Sequence, residues 1–222
     1  MALTGVIFDL DGTLVDTDAL HHAAFARVLA EAGGGKLSMA EYKAQVMGRP
    51  NVEIAATLFP GDPRADALIA RKEALFREAL AGSVPPVAGV HALLDWAEAA
   101  GAATAVVTNA PRANAAATLA AAGLAERLTE LIIGEECARP KPDPAPYREA
   151  MRRLGVTPSR ALAFEDSRPG LRAARGSGAH VFGLSTGLDA AELLQAGAHR
   201  VIPDFTDPAL WGALRTLKAD VA

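Results

Sequence analysis

The sequence contains a single cysteine, Cys137, among 222 residues. One cysteine cannot form an intramolecular disulfide bond, and it argues against a zinc cluster. No block of like charge is present either, since 26 acidic and 22 basic residues give a formal charge of −4. Proteins that bind nucleic acids usually carry a basic stripe, so we expect no nucleic-acid partner.

Long apolar segments and a leader sequence are also missing. The longest apolar stretch, around residues 113–125, is mostly alanine and too short to span a bilayer. The first 16 residues carry three aspartates and no charged leader, which is not the pattern of a signal peptide. We therefore expect a cytoplasmic protein without a membrane partner, either a monomer or a small homo-oligomer.

What is present is a composition typical of a globular protein with a sizeable core: half of the residues are hydrophobic and 22% are charged. From residue 85 onward, short apolar runs alternate with helical patterns. This alternation predicts a doubly wound, Rossmann-like parallel α/β sheet. The predicted strands cover residues 3–8, 103–108, 131–133, 161–164, 181–184 and 200–202.

Residues 16–84 depart from this alternation and show helical patterns only. Ser38, Asn51 and Asp62 are candidate N-caps that divide the segment into successive helices. The connections at either end of the segment are candidate hinges. We therefore predict an α/β core with an inserted all-helical domain, the core formed by residues 1–15 and 85–222 and the insertion by residues 16–84.

Polar side chains collect where the predicted strands end. In a doubly wound sheet, ligands bind beyond the carboxyl ends of the strands. Four acids, a lysine, a hydroxyl and an amide occur at or near these ends: Asp9, Asp11, Thr108, Asn109, Lys141, Glu165 and Asp166. Carboxylate oxygens suit Mg²⁺, which commonly keeps a substrate phosphate in its coordination shell. The predicted ligands are Mg²⁺ and a small phosphorylated metabolite.

These residue types indicate a mechanism. The Asp9 carboxylate is ionised at neutral pH and can attack phosphorus without a base, provided that a metal and Lys141 offset its repulsion from the phosphate. Asp11 can protonate the leaving oxygen and later deprotonate water, a role that needs a pKa nearer the working pH. Thr108 and the amides of the following helix can bind phosphate oxygens.

Each motif has a plainer interpretation when it stands alone. An Asp-x-Asp-Gly sequence is commonly a polar turn, Glu165-Asp166-Ser167 a helix N-cap, Lys141 a solvated loop residue, and Thr108-Asn109 a capped turn. The functional interpretation is favoured because all of them fall at the same end of one predicted sheet.

The chain resembles the haloacid dehalogenase superfamily, whose four motifs match, in order, Asp9-Leu10-Asp11-Gly12-Thr13, Thr108-Asn109, Lys141 and Glu165-Asp166-Ser167. The inserted helices are similar to that superfamily's cap domain. The resemblance implies that Asp9 forms an aspartyl-phosphate, that Asp11 is the acid/base, and that Thr108 and Lys141 bind the phosphoryl group. It also implies that Asp9, the backbone carbonyl of Asp11 and Asp166 hold Mg²⁺, with Glu165 nearby.

Three activities compete within this superfamily. Dehalogenases usually lack the second aspartate of the first motif, so Asp11 favours phosphoryl transfer. The segment Ala110-Pro111-Arg112 departs from the serine- and lysine-rich segment with which β-phosphoglucomutases grip a second phosphate, although Arg112 can partly substitute. We therefore favour hydrolysis of a small phosphate monoester, of the sugar phosphate or phosphoglycolate type. A mutase is the alternative, and a catalytically idle protein that binds a phosphorylated ligand is a third interpretation.

Substrate choice is expected to lie with the inserted helices. His21, Arg49 and Lys72 are the polar side chains that we place toward the site, with Asn109 and Arg112 contributed by the core. Each cap residue has an alternative role. His21 can flank the core, Arg49 can cap a helix, and Lys72 belongs to a charged run, which is usually a solvated helix face.

Overall fold

The computed structural model describes residues 3–80, 82 and 84–219. Within these residues the chain forms six strands: β1 (Gly5–Phe8), β2 (Ala103–Thr108), β3 (Leu131–Ile133), β4 (Ala161–Glu165), β5 (His180–Leu184) and β6 (Arg200–Ile202). They make one parallel sheet in the order β3-β2-β1-β4-β5-β6. The predicted doubly wound α/β fold is confirmed.

Strand β1 lies at the centre of the sheet because it pairs with β2 on one side and with β4 on the other. Phe8 is in register with Val106 and with Phe164. A parallel strand that is buried on both faces has no reason to alternate polar and apolar residues, and β1 is apolar and buried throughout. Its continuous apolar sequence is therefore a consequence of its central position.

Helices cover both faces of the sheet and form the insertion. Within the described residues the ten α-helices are α1 (Asp18–Glu31), α2 (Met39–Gln45), α3 (Asn51–Leu58), α4 (Ala65–Ala79), α5 (Val90–Ala99), α6 (Arg112–Ala121), α7 (Ala145–Leu154), α8 (Arg168–Ser177), α9 (Ala190–Ala196) and α10 (Pro208–Ala219). In this described part of the chain, no helix has the length and apolar character needed to cross a bilayer.

The four helices α1 to α4 lie between β1 and α5, where the insertion is predicted. The two connections to the core run side by side, since Val15 forms an isolated antiparallel bridge with Pro86. Of the second predicted hinge, residues 82–86, Ser83 lies outside the described residues. The division into domains at residues 16 and 84 stays a prediction.

Three details of the predicted helices are wrong. Helix α4 begins at Ala65, after the Asp62 carboxylate accepts hydrogen bonds from the backbone and side chain of Arg64. Asn51 is the first residue of α3 instead of its cap, because its side chain donates to Glu73. Helix α9 was not predicted from the sequence, although it begins with a capping box formed by Asp189 and Glu192.

The sheet separates two hydrophobic clusters. Side chains alternate between the faces of a strand, so Ile7 packs into one cluster while Val6 and Phe8 pack into the other. The second cluster contains a group of aromatic rings, in which the Phe164 ring lies 5.5 Å from Phe8 and 5.0 Å from Phe205. Phe8 and Phe164 immediately precede Asp9 and Glu165, so these ring contacts support the ends of the two central strands.

We expect Phe164→Ala to lower the free energy of unfolding by about 3–5 kcal/mol, because the truncation leaves a cavity among the other aromatic rings. Leu194→Ala is the matched control, since Leu194 is 51% exposed on α9. Urea unfolding of both variants measures the difference. A Phe164→Ala loss no larger than that of the control would contradict the packing described above.

Candidate active site

The carboxyl ends of β1, β2 and β4 bring the predicted residues together. Asp9 follows β1, Thr108 ends β2, and Asp166 follows β4. Because β1 pairs with both other strands, these three side chains meet at one edge of the sheet. Oxygen atoms of Asp9, Glu165 and Asp166 lie within 4.8 Å of one another, and all three side chains are buried.

Lys141 is the cation among these acids and is 1% exposed. Its ammonium donates to Asp9 Oδ1 at 2.7 Å, to the Val107 carbonyl at 2.7 Å and to Glu165 Oε1 at 2.6 Å. These three bonds use all of the protons that a lysine carries. Lys141 therefore fixes the orientation of the Asp9 carboxylate by holding one of its two oxygens.

The acids are only partly neutralised by Lys141. Burial, and then the charge of Glu165, raise the pKa of Asp9 to about 7 in spite of the lysine. Burial also raises the pKa of Asp166 well above its ordinary value, with Asp9 and Glu165 adding to the effect. Burial and repulsion among the acids both disfavour their ionised forms, and a nearby positive charge offsets both effects. The site is therefore suited to bind a further cation.

Glu165 is held differently from the two aspartates. Its Oε1 accepts from Lys141 and from the Tyr147 hydroxyl at 2.9 Å, and its Oε2 accepts from the amides of Asp166 and Ser167 and from the Ser167 hydroxyl. Both oxygens are thus occupied by protein donors. The structure places Glu165 beside the predicted metal site, with its carboxylate positioning Lys141 and the loop that carries Asp166.

Asp11 belongs to a second chain of contacts, which leads toward the inserted helices. Its Oδ1 accepts from the Thr17 hydroxyl at 2.6 Å and lies 3.4 Å from His21 Nε2. The Lys72 ammonium lies 2.9 Å from His21 Nδ1. An ammonium has no acceptor, so Nδ1 accepts and the ring N–H at Nε2 faces Asp11. Burial favours the neutral acid, but the bonds from His21 and Thr17 outweigh it and lower the pKa of Asp11.

Glu73 continues this chain and connects it to the core. Its Oε2 accepts from Lys72 at 3.1 Å and also from the Asn114 side chain, while its Oε1 accepts from Asn51 at 2.8 Å. Asn114 lies on core helix α6, and its carbonyl oxygen accepts from Arg77 of α4 at 2.6 Å. The side chain of Asn114 thus joins the core to two residues of the insertion.

These groups surround a cavity of about 70 Å³ between the sheet edge and the insertion. Nine of the predicted site residues line it together with Glu73: Asp9, Asp11, His21, Arg49, Lys72, Thr108, Asn109, Lys141 and Asp166. Most of the candidate residues named from the sequence therefore lie around one cavity.

Two predicted substrate-binding residues are placed unexpectedly. Arg112 lies apart from the cavity lining, and its guanidinium pairs with Glu136 at 2.6 Å on the surface. Asn109 lines the cavity, but its amide group donates to the carbonyls of Gly48 and Lys141 and accepts from the Lys141 amide. Its side chain therefore braces the lysine loop against the insertion.

Several residues of the site have contacts that the sequence did not predict. Thr13 donates to Asp166 at 2.9 Å, Tyr147 supports Glu165, and Glu73 and Asn114 connect insertion and core. A usable signal exists only for Glu73. With Lys72, it falls three to four residues from the buried Ile69 and Phe76, which places it on the apolar side of α4.

Residues 6–184 match the family of haloacid dehalogenase-like hydrolases. The chain belongs to this family. Its relatives include the protein CbbY of Rhodobacter capsulatus, 35% identical over 82% of this chain and 85% of the relative. A phosphoglycolate phosphatase of Rhodospirillum rubrum is 35% identical over 93% of this chain and 89% of the relative.

Solved structures of haloacid dehalogenase-like hydrolases share the fold. The crystal structure of CbbY from Rhodobacter sphaeroides in complex with phosphate has a TM-score of 0.82 and 30% identity, covering 92% of this chain and 96% of that one. Several relatives are named as phosphatases. The chain is therefore a phosphatase of this family.

Gly170 tests the positioning role of Glu165 in this hydrolase. A Cβ at Gly170 would overlap the Glu165 carboxylate. We expect Gly170→Ala to displace Glu165 and to lower the free energy of unfolding by about 1–3 kcal/mol. Urea unfolding measures this loss.

Gly176→Ala is the matched control on the same helix, α8. There the nearest atom to an added Cβ is the Cβ of Pro144 at 3.5 Å, an ordinary contact. Alanine is the better helix former by up to about 1 kcal/mol, so the control is expected to be neutral or slightly stabilising. Equal effects of the two substitutions would show that the space beside Glu165 is unimportant.

Proposed function

We propose that this phosphatase hydrolyses small phosphate monoesters, of the sugar phosphate or phosphoglycolate type, with Mg²⁺ and through an aspartyl-phosphate on Asp9. The observation that carries the proposal is the fixed Asp9 carboxylate, one oxygen of which is bound by Lys141 at 2.7 Å. Lys141 leaves the other oxygen as the nucleophile. The names of relatives, which include phosphoglycolate phosphatase and phosphorylated carbohydrates phosphatase, support the substrate class.

In the first step, Asp9 attacks phosphorus, an acyl phosphate bond forms, and the bond from phosphorus to the ester oxygen breaks. The leaving oxygen takes a proton from Asp11. In the second step, water attacks the phosphorus and gives its proton to Asp11, and the departing carboxylate regenerates Asp9. Inorganic phosphate and an alcohol are the products.

The lowered pKa of Asp11 bears on its first role. In the described site His21 and Thr17 favour its ionised form, which suits a base. The acid role requires a pKa nearer the working pH. A phosphate dianion bound beside Asp11 disfavours ionisation of this carboxyl and so acts in the direction that the acid role needs.

Phosphate binding is assigned to Thr108 and Lys141. The Thr108 hydroxyl accepts from the amide of Ala110 at 3.0 Å, so its own proton is free to be donated to a phosphoryl oxygen. This hydroxyl lies at the start of the turn into α6, whose N-terminus favours negative charge. The three protons of Lys141 are used by Asp9, Val107 and Glu165, so Lys141 contributes fixed positive charge beside the nucleophile and not a further hydrogen bond.

The donor set fits Mg²⁺. Asp9 and Asp166 are hard oxygen donors, and burial together with the neighbouring acids raises the pKa of both, so their ionised forms would be stabilised by a divalent cation. We assign these two carboxylates and the backbone carbonyl of Asp11 as the ligands. When bound, the cation polarises the phosphoryl group and reduces its repulsion from Asp9.

We expect Asp9→Asn to lower phosphate release by about 10³-fold or more, because the amide is not a nucleophile. Phosphate release is measured with Mg²⁺ on p-nitrophenyl phosphate, sugar monophosphates and 2-phosphoglycolate. Asp95→Asn is the control, because the Asp95 side chain is 70% exposed. Retained activity in Asp9→Asn would remove Asp9 as the nucleophile, and isomerised sugar phosphate without phosphate release would favour a mutase.

The raised pKa of Asp9, about 7, predicts a pH-dependent affinity for Mg²⁺. Metal ligands must be deprotonated, so a proton competes with the cation below this pKa. In the metal-free protein, the stability linked to this group is present below its unfolded pKa and is lost as pH rises through about 7. Mg²⁺ is therefore expected to stabilise the protein more at about pH 8 than at about pH 6.

The shift of the thermal unfolding midpoint on addition of MgCl₂ measures this effect at both pH values. Asp166→Asn is expected to abolish the shift, whereas Asp95→Asn is expected to keep it. A shift that is the same at both pH values, or that persists in Asp166→Asn, would exclude the assigned site.

A further inference from the structure

A second cavity, of about 240 Å³, lies between the insertion and the core and is lined by several cationic side chains. Lys43, Arg49 and Glu53 line it from the insertion, and Arg168 and Arg172 line it from helix α8 of the core. Arg49 lines the active-site cavity as well, so its side chain lies where the two cavities meet. We call this second cavity the basic cleft.

Much of the positive charge in the basic cleft is unpaired. Within the described residues, the side chains of Lys43 and Arg172 form no ion pair and no hydrogen bond. Arg49 uses one of its five N–H donors on the carbonyl of Ala44 at 3.2 Å and forms no ion pair within the same part of the chain. These three cations therefore face the cleft without a paired carboxylate.

Two acids lie near these cations. Glu192 pairs with Arg168 and offsets that guanidinium, whereas Glu53 lines the cleft without an ion pair to a described residue. The chain as a whole has a formal charge of −4, so the local excess of positive charge is opposite in sign to that of the molecule. Repulsion among the cations is relieved when an anion binds between them.

The side chains and the size of the basic cleft indicate the kind of anion. Guanidinium groups present planar pairs of donors that match the oxygens of a phosphate, and an ammonium adds a point charge. Pockets for drug-sized ligands measure about 300–1,000 Å³, so a cavity of about 240 Å³ suits a smaller molecule. Because three unpaired cations outnumber the acid in the lining, a ligand with at least two negative charges is favoured.

We propose that the basic cleft is a second anion-binding site, separate from the active site, for a small phosphate-type anion with two or more negative charges, such as pyrophosphate. Lys43 and Arg49 bind the anion from the insertion, and Arg168 and Arg172 bind it from the core. The bound anion thus joins the insertion to the core. This site goes beyond the proposed function, because it takes no part in phosphate release.

Isothermal titration calorimetry with pyrophosphate tests the proposal on the metal-free protein, because Mg²⁺ would itself bind the probe. We expect saturable binding of one pyrophosphate per chain, and a higher thermal unfolding midpoint when it is bound. Sodium chloride at the same ionic strength is the control for general screening of the cations. Binding that does not saturate, or equal stabilisation by sodium chloride, would overturn the proposal.

Arg172→Gln and Lys43→Gln remove the two unpaired cations that lie outside the lining of the active-site cavity. Each substitution is expected to weaken pyrophosphate binding by about tenfold, since a hydrogen bond to a charged group is lost. Arg175→Gln is the matched control, because Arg175 is an exposed residue of the same helix, α8, and does not line the cleft. It is expected to keep the wild-type affinity within about twofold.

Glu53→Gln removes the acid from the lining and is expected to tighten pyrophosphate binding by about threefold. A gain of affinity cannot come from damage to the fold, so an unchanged or weaker affinity in this variant would contradict the proposed site.

Thr108→Val separates the basic cleft from the active site, where Thr108 is assigned to phosphate binding. This variant is expected to bind pyrophosphate as the wild type does. Weaker binding in Thr108→Val, with full binding in Arg172→Gln and Lys43→Gln, would place the anion in the active site and overturn the proposal. None of these measurements needs turnover, so their outcome is independent of the proposed phosphatase reaction.

Discussion

The interior at the edge of the sheet contains more negative than positive charge, and the rest of the structure depends on this imbalance. Asp9, Glu165 and Asp166 are buried together, and Lys141 is the ammonium that pairs with two of them. Pairing offsets only part of the lost solvation, since the pKa of Asp9 is still raised to about 7. The folded chain therefore offers a buried acidic group that a further positive charge would stabilise.

The strand order makes this arrangement possible. Adjacent parallel strands place Asp9 beside Glu165 and Asp166, while Lys141 reaches Asp9 and Glu165 from a loop. Hydrogen bonds hold that loop in two places. The Lys141 ammonium donates to the carbonyl of Val107. The Asn109 side chain donates to the carbonyl of Lys141 and accepts from the Lys141 amide. The strands that carry these charged residues are supported by the aromatic core, which packs against one face of the sheet.

Sequence reasoning could place the core half of the site because it depends on local order. Apolar runs that end in acids, a threonine or an amide identify strand ends, and parallel strands bring their ends to one edge. The insertion is harder to predict, because burial on a helix depends on what packs against it. The pair Lys72 and Glu73 belongs to a charged run, yet it lies on the buried face of α4 with Phe76. Arg112 illustrates the reverse case, since its partner Glu136 lies 24 residues away and diverts it from the cavity.

Recognition and chemistry are connected through the charges of the insertion. The insertion contributes charged side chains to the cavity wall beside the acids of the core. There, Glu73 contacts Lys72, Lys72 contacts His21, and His21 faces Asp11. A change in charge at one member of this chain alters the field at the others, because Glu73, Lys72 and His21 are buried. Specificity in the insertion and the proton affinity of Asp11 therefore cannot vary independently.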